Sequence, residues 1–216
     1  MKCLCRAVLC SSLAFFTLGL GPGYGRPLQK GVRQKVHARN PKAEDRDVAS
    51  VALRYIGTPY VWGGDSLTKG IDTGHFAYEV LRQCGYDVPR APVLNQEAHG
   101  RIVHYKPGQA RRGGKTIDLD AETTHGASTD LKALRPGDRL IFQRGLTDAA
   151  GSRHTAIFLG RLPEKWRARF GDLSFAFIHA SASRGVTVGS LMEKYYWGIY
   201  RYAVRDEKLP SRKGAR

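Results

Sequence analysis

Two histidines, His154 and His179, each stand inside a run of β-forming residues, and each is followed by a small residue, Thr155 or Ala180. On neighbouring strands such a pair can move a proton or orient a ligand, because imidazole titrates closest to neutrality. A strand histidine taken alone is more often structural, so the pair gains weight only from its company. That company is two glycine-bracketed stretches, Gly57-Thr-Pro-Tyr-Val-Trp-Gly-Gly64 and Gly70-Ile-Asp-Thr-Gly-His-Phe76. In the second, Asp72 falls where a helix N-cap is expected, which puts Thr73 at the helix start. Unpaired backbone N–H groups at that end stabilise negative charge. A threonine hydroxyl, however, ionises far above a thiol's ~8.5, and an imidazole near ~6.5 cannot hold it ionised.

Other chemistries fit these residues less well. Cys84 lies on the same predicted helix, eleven residues and so about 16 Å beyond Thr73. It shares an apolar face with Phe76 and Val80, which marks a buried, inert thiol. The tripeptide Asp72-Thr-Gly74 occurs once and opens a helix, whereas aspartic proteases need two such carboxylates on strand-borne loops. His75, His154 and His179 have no His-x-His or His-Glu-x-x-His spacing, so no metal or other cofactor is expected.

The two glycine-bracketed stretches resemble the NlpC-type papain-like peptidases that cut bacterial cell-wall peptides. In that family the second stretch reads Gly-φ-Asp-Cys-Ser-x-φ, with φ apolar and the cysteine opening a helix. Ile71, Asp72 and Phe76 fit this pattern, while Thr73-Gly74 stands at the Cys-Ser pair. The resemblance implies Thr73 at the nucleophile position and His154 as the base, in Arg153-His-Thr-Ala-Ile-Phe-Leu-Gly160. It implies His179 as the group that orients this base, and Tyr60 as a tyrosine whose hydroxyl assists an oxyanion. Such a hydrolase needs a thiolate, a base and an orienting group. The shorter reach of oxygen and the stiff β-branch of Thr73 argue against a simple exchange for cysteine.

The elements that must position these residues can be read from periodicity. Val48, Val51, Ala52 and Tyr55 share one face of a short helix, ended by Gly57-Thr-Pro. Phe76, Val80, Leu81 and Cys84 repeat at helical spacing, and Gly85 supplies the stop. Strands follow at Arg139–Gln143, His154–Leu159, Phe175–Ala180, Val186–Val188 and Trp197–Val204. Helices first and antiparallel strands after them indicate an α+β domain. The resemblance sharpens this to a papain-like NlpC-type domain, with N-terminal helices packed on a five- or six-stranded antiparallel sheet. Two segments look inserted: 104–130, glycine-rich and long enough to be a functional or disordered loop, and 161–172, where Trp166 and Phe170 suit a small helix.

The chain has 216 residues, enough for one domain of about residues 46–205 with a real core. Lys2 and Arg6 followed by an apolar run from Ala7 to Leu20 read as a signal peptide over residues 1–25. Cys3, Cys5 and Cys10 fall in that segment, and Ala-Val-Leu before Cys10 disfavours lipidation. Cys84 alone remains, which excludes an internal disulfide framework. The net charge is +16, with six Lys/Arg and no acid between Arg26 and Lys42 in the linker of residues 26–45. A basic tail follows over residues 206–216.

Such ends suit anionic wall polymers or a membrane surface. Nucleic acid is disfavoured, because no helix-turn-helix, zinc-finger or aromatic RNA-binding pattern accompanies the charge. The resemblance implies an exported protein, monomeric, in the periplasm or outside the cell, acting on peptidoglycan stem peptides. Two functions remain open: a wall hydrolase weakened by Thr73, and a non-catalytic domain that grips wall peptides or a partner enzyme.

Overall fold

A computed structural model describes residues 47–147 and 152–209. In chain order the elements are α1 (Val48–Ala52), β1 (Asp65–Ser66), β2 (Gly70–Ile71), α2 (Thr73–Gln83), α3 (Val93–Gln96), β3 (Arg101–Tyr105), β4 (Gly108–Arg112) and β5 (Lys115–Leu119). They continue with β6 (Arg139–Gln143), β7 (Arg153–Gly160), α4 (Glu164–Phe170), β8 (Ala176–Ser181), β9 (Gly185–Ser190), α5 (Lys194–Ile199) and β10 (Tyr200–Arg205). The signal-peptide and linker expectations, residues 1–45, lie outside the described residues.

Six strands form the main sheet in the order β3-β10-β6-β7-β8-β9, with every neighbouring pair antiparallel. This is the α+β architecture expected, with the higher of the two strand counts. Alternation along β7 and β8 sorts the core onto two faces. Ile157, Leu159, Ile178 and Ala180 pack with α1 and α2 against Val51, Phe76, Val80 and Leu81. Ala156, Phe158 and Phe177 face the other way, onto Phe142, Tyr196 and Tyr200.

Local chemistry starts and stops α2 where the sequence places its ends. Asp72 is extended and its carboxylate accepts from the His75 amide at 2.7 Å, which satisfies one of the helix's unpaired donors. Gly85 beyond the last turn has φ +79°, a conformation that glycine takes without strain. Cys84 is the helix's C-cap; it is buried, and burial pushes its thiol up to about 11.

Three segments depart from the periodicity reading. Residues 104–130 are no structureless connection: they complete edge strand β3 and form the β4–β5 hairpin, turned through Gly113 and Gly114. Ala110 and Leu119 of that hairpin pack on Ile141 and Tyr202, and this burial holds it to the domain. Trp197–Ile199, expected as strand, belongs to α5, and β10 begins only at Tyr200. The ordered domain also runs past Arg205 into the expected tail. Asp206 is buried and accepts two hydrogen bonds from Arg139, at 2.6 and 2.8 Å.

Candidate functional site

The loop from Tyr60 to Gly64 folds tightly against the start of α2. Ile71 N–H donates to Pro59 and Val61 N–H donates back to Ile71. A Cβ on Gly70 would lie 2.2 Å from Val61 Cγ2, and one on Gly64 2.6 Å from the Gly70 carbonyl, so both positions require glycine. This folding brings Tyr60 near Asp72. Burial raises the Tyr60 phenol above its ordinary pKa, and the Asp72 charge adds to that. Trp62, on the same loop, is 68% exposed.

Thr73 opens α2 and reaches the main sheet at the place where two strands part. Strands β7 and β8 pair from Gly160–Ala176 as far as Ile157–Ile178. Continued in register, Ala156 would face His179 and Thr155 would face Ala180, but neither pair forms. The Thr73 hydroxyl occupies the vacated edge: Oγ1 donates to the Thr155 carbonyl at 2.5 Å and accepts from the Thr155 amide at 3.3 Å. A hydroxyl can do both at once, and so replaces the missing strand as hydrogen-bond partner. Thr73 is 8% exposed, so this edge is closed to water.

His154 and His179 lie on one face of the sheet, beside Phe142, Phe177 and Tyr196. Their rings are 4.8 Å apart and perpendicular, with His154 Nε2 2.6 Å from His179 Nδ1. No hydrogen bond links either ring to Thr73 among the described residues, although Thr73 touches the backbone next to His154. Burial lowers the His154 pKa to about 4, helped by the Arg144 charge, and lowers His179 well below its ordinary value. Both rings are neutral at pH 7.

Three features escaped the sequence reading. His179 Nε2 meets the Tyr196 hydroxyl at 3.3 Å, and Arg184 Nη2 donates to that hydroxyl at 3.1 Å. Gly74 lies under the segment before α3: a Cβ there would meet the Ala91 carbonyl and the Val93 amide at 3.3 Å. Gln96 Nε2 fastens this roof by donating to the Gly74 carbonyl at 2.9 Å. No spacing in the sequence could announce these contacts, because each joins residues that are distant along the chain. His75 is engaged in the Asp72 cap, its Nδ1 3.1 Å from the carboxylate, and stands apart from the histidine pair.

A family model described as the NlpC/P60 family matches residues 57–205. Among curated relatives, the Escherichia coli K12 murein DD-endopeptidase MepS/murein LD-carboxypeptidase is 29% identical over 150 residues, covering 69% of this chain and 56% of the relative. A probable endopeptidase NlpC homolog from Haemophilus influenzae is 25% identical over 179 residues, covering 81% of this chain and 71% of that one. The chain thus spans about half the length of the first of these relatives. A solved NlpC/P60 family protein from Bacillus cereus is 23% identical with a TM-score of 0.48, covering 79% of this chain and 41% of that one.

Proposed function

The chain belongs to the NlpC/P60 family, and we propose that it is an exported cell-wall protein that binds peptidoglycan stem peptides without cutting them through a covalent nucleophile. One observation carries this reading. The Thr73 hydroxyl, at the position the family resemblance assigns to the nucleophile, is spent in the β7 backbone and is not hydrogen-bonded to His154. A general base must come within about 2.6–3.2 Å of the proton it removes. A base of pKa about 4 is also poorly matched to neutral pH. Peptides as ligands and the wall as location are carried over from the relatives, a murein endopeptidase among them. The basic ends would add salt-sensitive attraction to anionic wall polymers.

The intact His154–His179 pair supports the second reading, a weak hydrolase that works through Thr73. Purified peptidoglycan separates the two. We expect the protein to be retained on insoluble peptidoglycan, displaced by soluble stem peptide, and to release no more fragments than its His154→Ala variant. Chromatography showing release above that control, or a protein that soluble peptide does not displace, would overturn the binding reading.

A further inference from the structure

Arg184, in the turn between β8 and β9, is exposed and can only donate hydrogen bonds. It donates to Tyr196 Oη, whose remaining partner is His179 Nε2. The phenol has one proton to give, and His179 is the acceptor within reach. With Tyr196 O–H pointing to Nε2, the His179 proton must sit on Nδ1, from which it donates to His154 Nε2. That leaves the His154 proton on Nδ1. His154 Nδ1 has no partner among the described residues, and the ring keeps part of its surface open to solvent. Donors then run in one direction, Arg184 to Tyr196 to His179 to His154, each bond polarising the next. The opposite order would leave the Tyr196 proton without an acceptor in a side chain that is 6% exposed.

We propose that Arg184 and Tyr196 fix the proton order of the histidine pair, so that His154 presents an N–H from Nδ1 and the site takes a carboxylate oxygen of its ligand. A carboxylate is favoured over a neutral oxygen because a hydrogen bond to an ionised acceptor is roughly twice as strong as one between neutral groups. The Asp72 carboxylate is occupied in capping α2. Tyr196 and Arg184 are positioning residues here, acting through His179. The ligand half of this proposal rests on the stem-peptide reading; the proton order does not.

The test is long-range 1H–15N correlation spectroscopy of the full chain at pH 7, where the ring nitrogens report their own protonation. The expected spectrum has His154 protonated at Nδ1. In Tyr196→Phe, with amide spectra confirming the fold, an Nε2-protonated population should appear, and Arg184→Gln should move the balance the same way. A native His154 protonated at Nε2, or a Tyr196→Phe spectrum unchanged from the native one, would overturn the relay. A stem tripeptide should then bind about tenfold more tightly than the same peptide with its carboxylates amidated, the worth of one charge-assisted hydrogen bond. Equal binding of the two would refute the carboxylate assignment. Absence of binding by both would count against the stem-peptide reading and leave the spectra to decide the relay.

Discussion

Replacing Thr73 by valine isolates what its hydroxyl does. Valine keeps the shape and the β-branch, so the perturbation is the loss of two hydrogen bonds at a closed edge of β7. The Thr155 N–H and C=O would be left without partners beside a side chain that is 1% exposed. An unpaired buried polar group costs about 1–3 kcal/mol. The 3.3 Å contact belongs at the low end and the 2.5 Å contact higher, which gives about 3–4 kcal/mol in all. For a chain of this size that lowers the melting temperature by roughly 6–16 °C. Thr73→Ser keeps the hydroxyl and loses one buried methyl, about 1 kcal/mol. Thr73→Cys should fall between the two, since a thiol donates and accepts only weakly. Urea and thermal unfolding of the three variants measure the order directly. A valine variant within about 0.5 kcal/mol of the native protein, the range of neutral surface changes, would refute the claim that this hydroxyl stands in for a missing strand.

Two further outcomes follow from buried charge. His154 takes up its proton at about 4 when folded and near ~6.5 when unfolded. Between those values the unfolded chain binds the extra proton, so stability is complete above ~6.5 and falls as pH drops toward 4. The loss approaches about 3 kcal/mol, and His179 adds to it in the same direction. His154→Gln should flatten this part of the pH profile; a variant slope equal to the native slope in urea titrations at pH 5 and pH 7 would contradict it. Asp206→Asn leaves the Arg139 guanidinium, wholly buried, without its carboxylate. Breaking such a pair costs about 3–5 kcal/mol, readable as a fall in the urea midpoint, and an unchanged midpoint would exclude the pair from the stability of the fold.

Much of this molecule was legible because its signals are local. Asp72 before a helical repeat gave the start of α2, Gly85 gave its end, and period-two runs gave β6 through β9 with small errors at their ends. Edge strand β3 was missed because Arg101 and His104 interrupt its apolar run and its stability comes from pairing with distant β10. His104 is buried there through a 2.7 Å contact with Tyr200, ninety-six residues away. Trp197 misled for a related reason. Aromatic residues favour strands, yet its backbone N–H bonds to the Glu193 carbonyl and its ring stacks on Tyr200, an arrangement that needs a helical turn between them. At the site, the two histidines stood out because the family resemblance named them; as strand residues alone they looked as much structural as functional. The Arg184–Tyr196 branch did not stand out, because it exists only once α5 has been laid beside β8.

The surroundings of Thr73 support the proposed binding reading independently of which residue stands at that position. A papain-like base must accept a proton on the ring atom that faces its nucleophile. The His154 ring is not hydrogen-bonded to Thr73, and its Nε2 is taken up by His179. Burial works in the same direction, since it disfavours the imidazolium that proton transfer would create. Meanwhile the first turn of α2 is roofed by residues 91–93, fastened through Gln96, over the glycine that follows Thr73. Each feature has a structural use of its own: a strand edge satisfied, a loop fastened, a buried phenol partnered. Together they leave a neutral donor and an exposed tryptophan near the helix start, a combination better suited to holding a peptide than to breaking one. A Thr73→Cys variant would place a thiol at the start of α2 while leaving the His154 pKa lowered by burial.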